Sequence, residues 1–374
     1  MSASRILVVD DEPGMLRAVD RILGETYHVV GTSSSKDAVK LAADFLPELA
    51  ILDIRMPEID GFELMARLKG RLPQLDIILM TGSVDDLDGK LMRAIRSPAF
   101  YFIQKPFDRN VLRTLVERCL ELRWRREEHR RYLERIEKEL AEARAFQQSL
   151  LPARQARFDR VSVCSQYRPC SGVGGDLYDY DTTSSGDTAL LIADVSGHGL
   201  SAAMLTSVVK SCFHAAQADG YDPLAVVQRI GGGLTPFGFE KFVTLFAALV
   251  APGDKRLRYV SAGHPLAVLW SDAAKPLWLE STGPLISSAL PASTWQVETV
   301  PVDTGHHLLL CTDGVTEVLG DEDDDPKSPI AAAIARDPAG GIELLDAILA
   351  RVYEKLGTRP QPDDVTLMTA TVST

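Results

Sequence analysis

Three aspartates, a threonine and a lysine stand where apolar runs of the first third of the chain stop. Ile6 to Val9 leads into Asp10-Asp11, Leu49 to Leu52 into Asp53, Ile77 to Met80 into Thr81, and Ala99 to Ile103 towards Lys105. Carboxylates gathered in one crevice repel and raise one another's pKa, so a hard, oxygen-seeking cation such as magnesium is needed among them. Asp53 then has the chemistry of a carboxylate nucleophile that forms an acyl phosphate. Lys105 would neutralise an incoming phosphoryl oxygen, and the Thr81 hydroxyl would hydrogen-bond the transferred group. A second acidic series follows: Gly174-Gly175-Asp176, Ala193-Asp194-Val195-Ser196-Gly197-His198-Gly199, Cys311-Thr312-Asp313-Gly314 and Asp363-Asp364-Val365-Thr366. Aspartates clustered without histidine or thiolate ligands favour manganese or magnesium over zinc. Glycine beside an aspartate lets backbone and a bound phosphate approach closely.

The elements that must position these groups follow from periodicity. Short buried runs alternating with helical segments over residues 1–107 predict an α/β doubly wound domain with a parallel sheet, whose ligands bind beyond the carboxyl ends of its strands. From Asp108 to Leu151 there is neither glycine nor proline. Residues 108–152 therefore read as one long helix capped by Asp108, about 43 residues extending roughly 64 Å. Steps of three and four from Leu112 give Leu115, Cys119, Leu122, Arg126, His129, Leu133, Ile136, Leu140, Ala143, Gln147 and Leu150, a heptad seam. Such a rod predicts a coiled-coil homodimer, with polar Arg126 and His129 as its soft point. Residues 153–374 mix β-rich runs with helical stretches near Ser201 to Ala218 and Gly341 to Leu356, predicting an α+β domain, a β-sandwich flanked by helices.

Composition narrows the function classes. A chain of 374 residues with 45% hydrophobic content suits two globular domains and a connector. A formal charge of −12 argues against sequence-independent nucleic-acid binding. Met1 to Arg5 leaves no room for a signal peptide, and no apolar run reaches the roughly 18 residues that span a bilayer, so the expectation is a soluble protein with no membrane partner. The five cysteines, Cys119, Cys164, Cys170, Cys212 and Cys311, show no zinc or redox spacing and fit a reducing cytoplasm. The acidic tract Asp321 to Asp325 reads as a solvated loop.

Residues 4–120 resemble the receiver domain of two-component response regulators. The motifs are Val8-Val9-Asp10-Asp11, Leu52-Asp53-Ile54-Arg55-Met56-Pro57-Glu58-Ile59-Asp60-Gly61, Met80-Thr81-Gly82 and Lys105-Pro106-Phe107. The resemblance implies that Asp53 accepts phosphate from a histidine kinase. It also implies that Asp10 and Asp11 bind Mg2+ with Asp53 and the Arg55 carbonyl, and that Phe102 is the switch aromatic. Arg96-Ser97-Pro98-Ala99 departs from the family's small Gly-Ala turn.

Residues 145–372 resemble the SpoIIE-type branch of metal-dependent type 2C serine/threonine phosphatases. Supporting motifs are Ala145-Phe146-Gln147-Gln148-Ser149-Leu150-Leu151-Pro152, Phe242-Val243-Thr244-Leu245 and Ser261-Ala262-Gly263-His264-Pro265. The resemblance implies two Mn2+ or Mg2+ ions: Asp194 bridges them, Asp176 and the Val195 carbonyl complete one site, and Asp313 and Asp363 hold the other. His198 is the candidate general acid for the leaving serine oxygen. His264 reads as structural, and Asp364 is the less definite neighbour of Asp363. Ser281 to Ile286 departs from the family's Pro-Leu-Gly turn. The implied substrate is a phosphorylated STAS-domain anti-sigma-factor antagonist, and phosphorylation at Asp53 is expected to act along the seam through Phe146 and Leu150.

Two other readings compete. Gly174-Gly175-Asp176-Leu177-Tyr178 is superficially similar to the signature of diguanylate cyclases, which have no use for the motifs around Asp194 and Asp363. A catalytically weak phosphatase-like adaptor that binds a regulatory protein would keep the fold without the turnover; retention of every acidic site argues against it.

Overall fold

The computed structural model describes residues 3–82, 100–197, 199–238, 240–265, 267–271, 274–290, 295–320 and 327–373. The turn at Arg96 to Ala99, His198 and the acidic tract lie outside them. The chain divides into two compact units, Met1–Arg135 and Ile136–Thr374.

In the first unit the apolar runs become strands β1 (Arg5–Val9), β2 (His28–Thr32), β3 (Leu49–Asp53), β4 (Asp76–Thr81) and β5 (Phe100–Gln104). They form one parallel sheet in the order β2-β1-β3-β4-β5. Its helices are α1 (Pro13–Leu23), α2 (Ser35–Phe45) and α3 (Gly61–Arg71). Ser34 and Asp60 cap α2 and α3 by accepting from the Asp37 and Glu63 N–H groups. Strands β3 and β4 are buried on both faces, which is why they read as unbroken apolar runs. Edge strand β2, half-buried and short, carries only Val29-Val30 as an apolar signal and escapes that reading.

Helix α4 (Arg109–Leu150) follows, with the Asp108 carboxylate accepting from the Asn110 N–H as the sequence predicts. The seam read from Leu112 does not serve one purpose along its length. Leu112 and Cys119 are buried in the core of the first unit with Ile6, Val8 and Ile78, and Leu115 packs partly buried against it. Arg126 is likewise committed, its guanidinium bonded to both carboxylate oxygens of Asp76. Helical periodicity marks an apolar face without saying what covers it. At its other end the seam supplies Gln147, buried within the second unit, while Leu133 and Leu140 between them are 46% and 44% exposed.

The second unit holds strands β6 (Gln155–Arg157), β7 (Val161–Arg168), β8 (Asp176–Thr182) and β9 (Thr188–Val195), then helices α5 (Leu200–Ala215) and α6 (Pro223–Leu234). Strands β10 (Phe242–Ala251), β11 (Arg256–Ala262), β12 (Ala267–Ser271), β13 (Ala274–Trp278), β14 (Ile286–Ser287), β15 (Glu298–Pro301) and β16 (His306–Cys311) follow. Helices α7 (Asp313–Leu319), α8 (Lys327–Arg336) and α9 (Gly341–Leu356) precede β17 (Val365–Val372). One sheet runs β15-β11-β10-β9-β8 with β14 beside β10, and the other β13-β12-β16-β17-β7-β6.

Between the sheets Tyr178, Leu190, Ile192 and Phe246 meet Val163, Leu308, Leu310 and Met368. Leu191, Ala193 and Leu245 face the other way, against Val209 and Phe213 of α5 and Ile230 of α6. Leu309 and Leu367 pack against Val315, Ile334 and Ile348 of α7, α8 and α9. The result is the α+β sandwich flanked by helices. Helix α6 contains Gly231-Gly232-Gly233, each costing about 1 kcal/mol against alanine in a helix. Pro223 at its first turn, the Asp222 cap and burial of Val226, Val227, Ile230 and Leu234 override that propensity. Among the described residues no helix is long and apolar enough to cross a membrane.

Candidate functional site

The first unit gathers the predicted phosphoacceptor group at the carboxyl edge of its sheet. Asp10 and Asp53 are buried, and Lys105 Nζ stands 2.7 Å from Asp10 Oδ2 and 3.0 Å from Asp53 Oδ1. Asp10, Asp11 and Asp53 each offer a carboxylate oxygen within 4.8 Å of the others, a donor set that fits one hard cation. Burial holds the Asp53 carboxyl above its ordinary range; Lys105 opposes this, and Asp10 and Asp11 add to it. Burial pulls Lys105 down, but its bonds to Asp10 and Asp53 leave it raised. Thr81 is buried at the end of β4, Phe102 is half-buried on β5, and the Arg55 side chain is exposed.

In the second unit, Asp176 opens β8 and Asp194 nearly closes β9, and the two are direct partners in the antiparallel ladder. Direct partners share a face with β-carbons roughly 5 Å apart. Asp313 begins α7 immediately after β16, and Asp363 precedes β17. Burial is the first cause that pushes the Asp194 carboxyl up to about 7, followed by the charges of Asp313, Asp363, Asp364 and Glu317. Asp176 is raised by burial, then by Asp194 and Asp364. Asp313 is raised by burial, then by Asp363 and Glu317. The predicted aspartates thus form one electrostatic neighbourhood drawn from separate elements.

Sequence reasoning missed what holds them. Asp364 is buried, with Oδ1 accepting from Cys170 N–H at 2.8 Å and Oδ2 from Gly175 and Asp176 N–H at 2.6 and 3.3 Å. A β-carbon at Gly174 would overlap that Oδ2, and one at Gly175 would stand 2.6 Å from the Val195 carbonyl oxygen. The glycine doublet is thus a requirement of close approach. Thr312 Oγ1 donates to Asp176 Oδ2 at 2.8 Å, and Thr366 Oγ1 donates to the same oxygen at 2.5 Å. Gln147 pairs with the main chain of Gly174 through both its amide groups. The repeated threonine-aspartate neighbours in Thr312-Asp313 and Asp364-Val365-Thr366 could have hinted at such support; Gln147 stands in the motif Ala145 to Pro152 and on the seam, but neither pattern points to a bond with Gly174.

Cys170, dismissed by its spacing, offers its thiol within 4.8 Å of oxygens of Asp363 and Asp364. The buried Tyr167 hydroxyl has no hydrogen-bond partner among the described residues and lies against Gly174. An orphaned polar atom beside mutually repelling carboxylates fits a site built for hard divalent cations and their water. His264 is buried, pushed down to about 3 by burial, and neutral, as a structural residue would be. The candidate acid His198 lies outside the described residues.

Comparison with known proteins agrees with this division. The pattern of the Stage II sporulation protein E (SpoIIE) family matches residues 184–373, and that of the response regulator receiver domain matches residues 6–117. Asp194, Val195, Asp313 and Asp363 fall within the first match; Asp176 falls just before it. Regulatory protein AtoC of Escherichia coli (strain K12) is 31% identical over 128 residues, 34% of this chain and 27% of AtoC. Phosphoserine phosphatase RsbP of Bacillus subtilis (strain 168) is 29% identical over 185 residues, 46% of this chain and 45% of RsbP. The chain therefore spans less than half the length of either relative. The SiaA-PP2C domain of Pseudomonas aeruginosa shares the fold, with a TM-score of 0.55 at 21% identity, covering 65% of this chain and 99% of that domain.

Proposed function

We propose a function from one premise: the chain belongs to the SpoIIE family and carries a response regulator receiver domain ahead of the matched region. It is a response regulator in which phosphorylation of Asp53 by a histidine kinase controls a manganese- or magnesium-dependent protein serine/threonine phosphatase. The observation that carries this reading is the pairing of Asp176 with Asp194, joined by Asp313 and Asp363 in a neighbourhood that drives the Asp194 carboxyl up to about 7. Without cations such a cluster only repels itself.

In this reading residues 1–107 are the receiver, 108–152 the linking helix and 153–374 the phosphatase. Two cations would be held by Asp176 and the Val195 carbonyl at one site and by Asp313 and Asp363 at the other, with Asp194 shared between them. When bound, such a pair supplies Lewis acidity that lowers the pKa of an attacking water and clamps phosphoryl oxygens. The chain's own residues set the geometry. Thr312 and Thr366 hold one oxygen of Asp176 so that the other is free to ligate, and Asp364 fixes the main chain on either side of Gly175. His198 is assigned, on sequence position alone, as proton donor to the departing serine oxygen. Hydrolysis is direct and in line, with no phosphoenzyme.

The name of the relative RsbP supports phosphoserine as the bond cleaved, and we assign a phosphorylated STAS-domain anti-sigma-factor antagonist as substrate. The exposed middle of α4, with Leu133 and Leu140, supports a homodimer. The test is manganese-dependent release of phosphate from a phosphoserine STAS-domain protein by the full chain, with and without beryllofluoride as the acyl-phosphate mimic. Turnover that changes with beryllofluoride in the wild type and not in Asp53→Ala is expected. Absence of turnover at saturating manganese, with the substrate still bound, would replace this reading with the adaptor.

A further inference from the structure

A thiol stands among the carboxylates of the second unit. Cys170 Sγ, an Asp363 oxygen and an Asp364 oxygen lie within 4.8 Å of one another. Main-chain bonds hold them there. The Cys170 N–H donates to Asp364 Oδ1 at 2.8 Å, and the Asp364 N–H donates to Asp363 Oδ1 at 2.7 Å, so the three residues are tied in series. Asp364 is buried, whereas Cys170 and Asp363 are half-buried, which leaves the group open to solvent on one side. The Tyr167 hydroxyl, on a residue only 8% exposed, faces the same corner without a hydrogen-bond partner among the described residues. A β-carbon at Gly174 would strike both that hydroxyl and Asp364 Oδ2, so the two meet across the glycine. Burial pushes the hydroxyl up, and the charges of Asp364, Asp176 and Cys170 push the same way. A buried hydroxyl left unpaired is costly unless something other than protein completes it.

We propose that Cys170, Asp363 and Asp364 form a site for a thiophilic divalent cation, zinc above all, whose occupation withdraws Asp363 from the manganese centre and stops turnover. Donor chemistry sets this site apart. Asp10, Asp11 and Asp53 in the first unit, and Asp176, Asp194 and Asp313 in the second, offer oxygen alone, which suits magnesium and manganese. A thiolate added to two carboxylates turns the preference towards zinc or cadmium, which bind sulfur more firmly than manganese does. Tetrahedral zinc with one sulfur and two oxygen ligands places its donors roughly 3.5 Å apart, so the group closes on the ion by small side-chain rotations. The thiol proton passes to solvent as the sulfur–metal bond forms, and no electron is transferred. The fourth position falls to water, for which the Tyr167 hydroxyl is an unused partner. The inhibitory half of the proposal rests on reading Asp363 as a manganese ligand; the binding half does not.

The experiment uses the purified full-length protein, as wild type, Cys170→Ser and Cys170→Ala. Cadmium is the optical probe, because its bond to a thiolate gives an ultraviolet charge-transfer band that oxygen ligands do not. Zinc is followed by its displacement of that band and by inhibition of turnover at saturating Mn2+. Wild type is expected to show the band and to be inhibited by zinc. Both variants should lose the band, and the zinc needed for half inhibition should rise at least about tenfold, since even groups that merely support a metal ligand contribute on that scale. Without zinc their turnover should stay within about twofold of wild type. A band and a zinc sensitivity unchanged in both variants would mean that these ions only enter the oxygen-lined centre; that result overturns the proposal. If neither variant folds, wild type decides: zinc should block alkylation of Cys170 by iodoacetamide, read by peptide mass, and EDTA should restore it. Unhindered alkylation of the zinc-loaded protein overturns the proposal equally. A band that depends on Cys170 without any inhibition would keep the site and overturn instead the reading of Asp363 as a manganese ligand.

Discussion

Arg126 of helix α4 grips Asp76 at the head of strand β4 with one guanidinium nitrogen 2.8 Å from each carboxylate oxygen. Asp76 is 1% exposed, and Arg123 stands 3.7 Å from the same carboxylate. A sequence position that reads as a weak point in a coiled coil is therefore a fastening of the helix to its own sheet.

Arg126→Leu should consequently loosen the first unit rather than lock a coil. The side chain is about half exposed, so solvent screening cuts the loss below that of a fully buried pair, to about 1–2 kcal/mol. Hydrogen–deuterium exchange at β4 amides of the full chain should quicken accordingly. Unchanged protection there would mean that Arg123 alone neutralises Asp76.

Stability of the second unit without metal should fall as pH rises. The Asp194 carboxyl is lifted from 3.8 to about 7 in the folded protein, so between these values the native state holds a proton that the unfolded chain has lost. The stabilising contribution is present below about pH 4 and is lost progressively towards pH 7. Asp313, raised by burial and by Asp363 and Glu317, acts in the same direction. Melting in chelator from pH 5 to 8 should show this decline. Added Mn2+ should flatten or reverse it, since binding to the native state alone stabilises by mass action.

Removing single carboxylates should separate stability from activity. Asp194→Asn and Asp313→Asn are predicted to lose on the order of a hundredfold or more in Mn2+-dependent hydrolysis of para-nitrophenyl phosphate. Both should melt no lower than wild type in chelator at pH 8, because relief of repulsion offsets the change. Full turnover in either variant would remove that aspartate from the site.

Asp364→Asn tests the support rather than the ligands. An asparagine keeps one acceptor oxygen but turns the other into a donor facing main-chain N–H groups of Cys170 or of Gly175 and Asp176. Mn2+ affinity should drop about 10–100-fold, the range for groups that hold metal ligands in place. Calorimetric titration of the full chain measures it.

Self-association should depend on the middle of α4. Leu133→Asp with Leu140→Asp is expected to shift the full chain towards monomer in sedimentation equilibrium, since both side chains are exposed within one chain and neither serves a core. A monomeric wild-type protein would dispose of the dimer altogether.

The sequence exposed the chemistry better than its scaffolding. Asp53, Lys105, Asp194 and Asp313 stand out in the sequence because each lies at or just beyond the end of an apolar run. Strand β2 and helix α6 were not: the first lies at a sheet edge with a two-residue apolar signal, and the second carries three consecutive glycines that only tertiary burial overrides. Heptad spacing exposed an apolar face on α4 but could not say that Leu112 and Cys119 serve the first unit and Gln147 the second. Asp364 looked like a spare neighbour of Asp363, because three hydrogen bonds to a loop about 190 residues earlier leave no local pattern.

Strand β17 lies between β16 and β7 in the second sheet, and Asp363 and Asp364 arrive just ahead of it. The ribosome must therefore pass residue 372 before that sheet can close or the loop before Asp176 can be stapled. Until then Asp176 and Asp194 can pair across β8 and β9 without the carboxylates that complete their surroundings. In the proposed reading, a product that lacks β17 would have neither a closed second sheet nor the Asp364 support of the loop before Asp176, and would not turn over phosphoprotein.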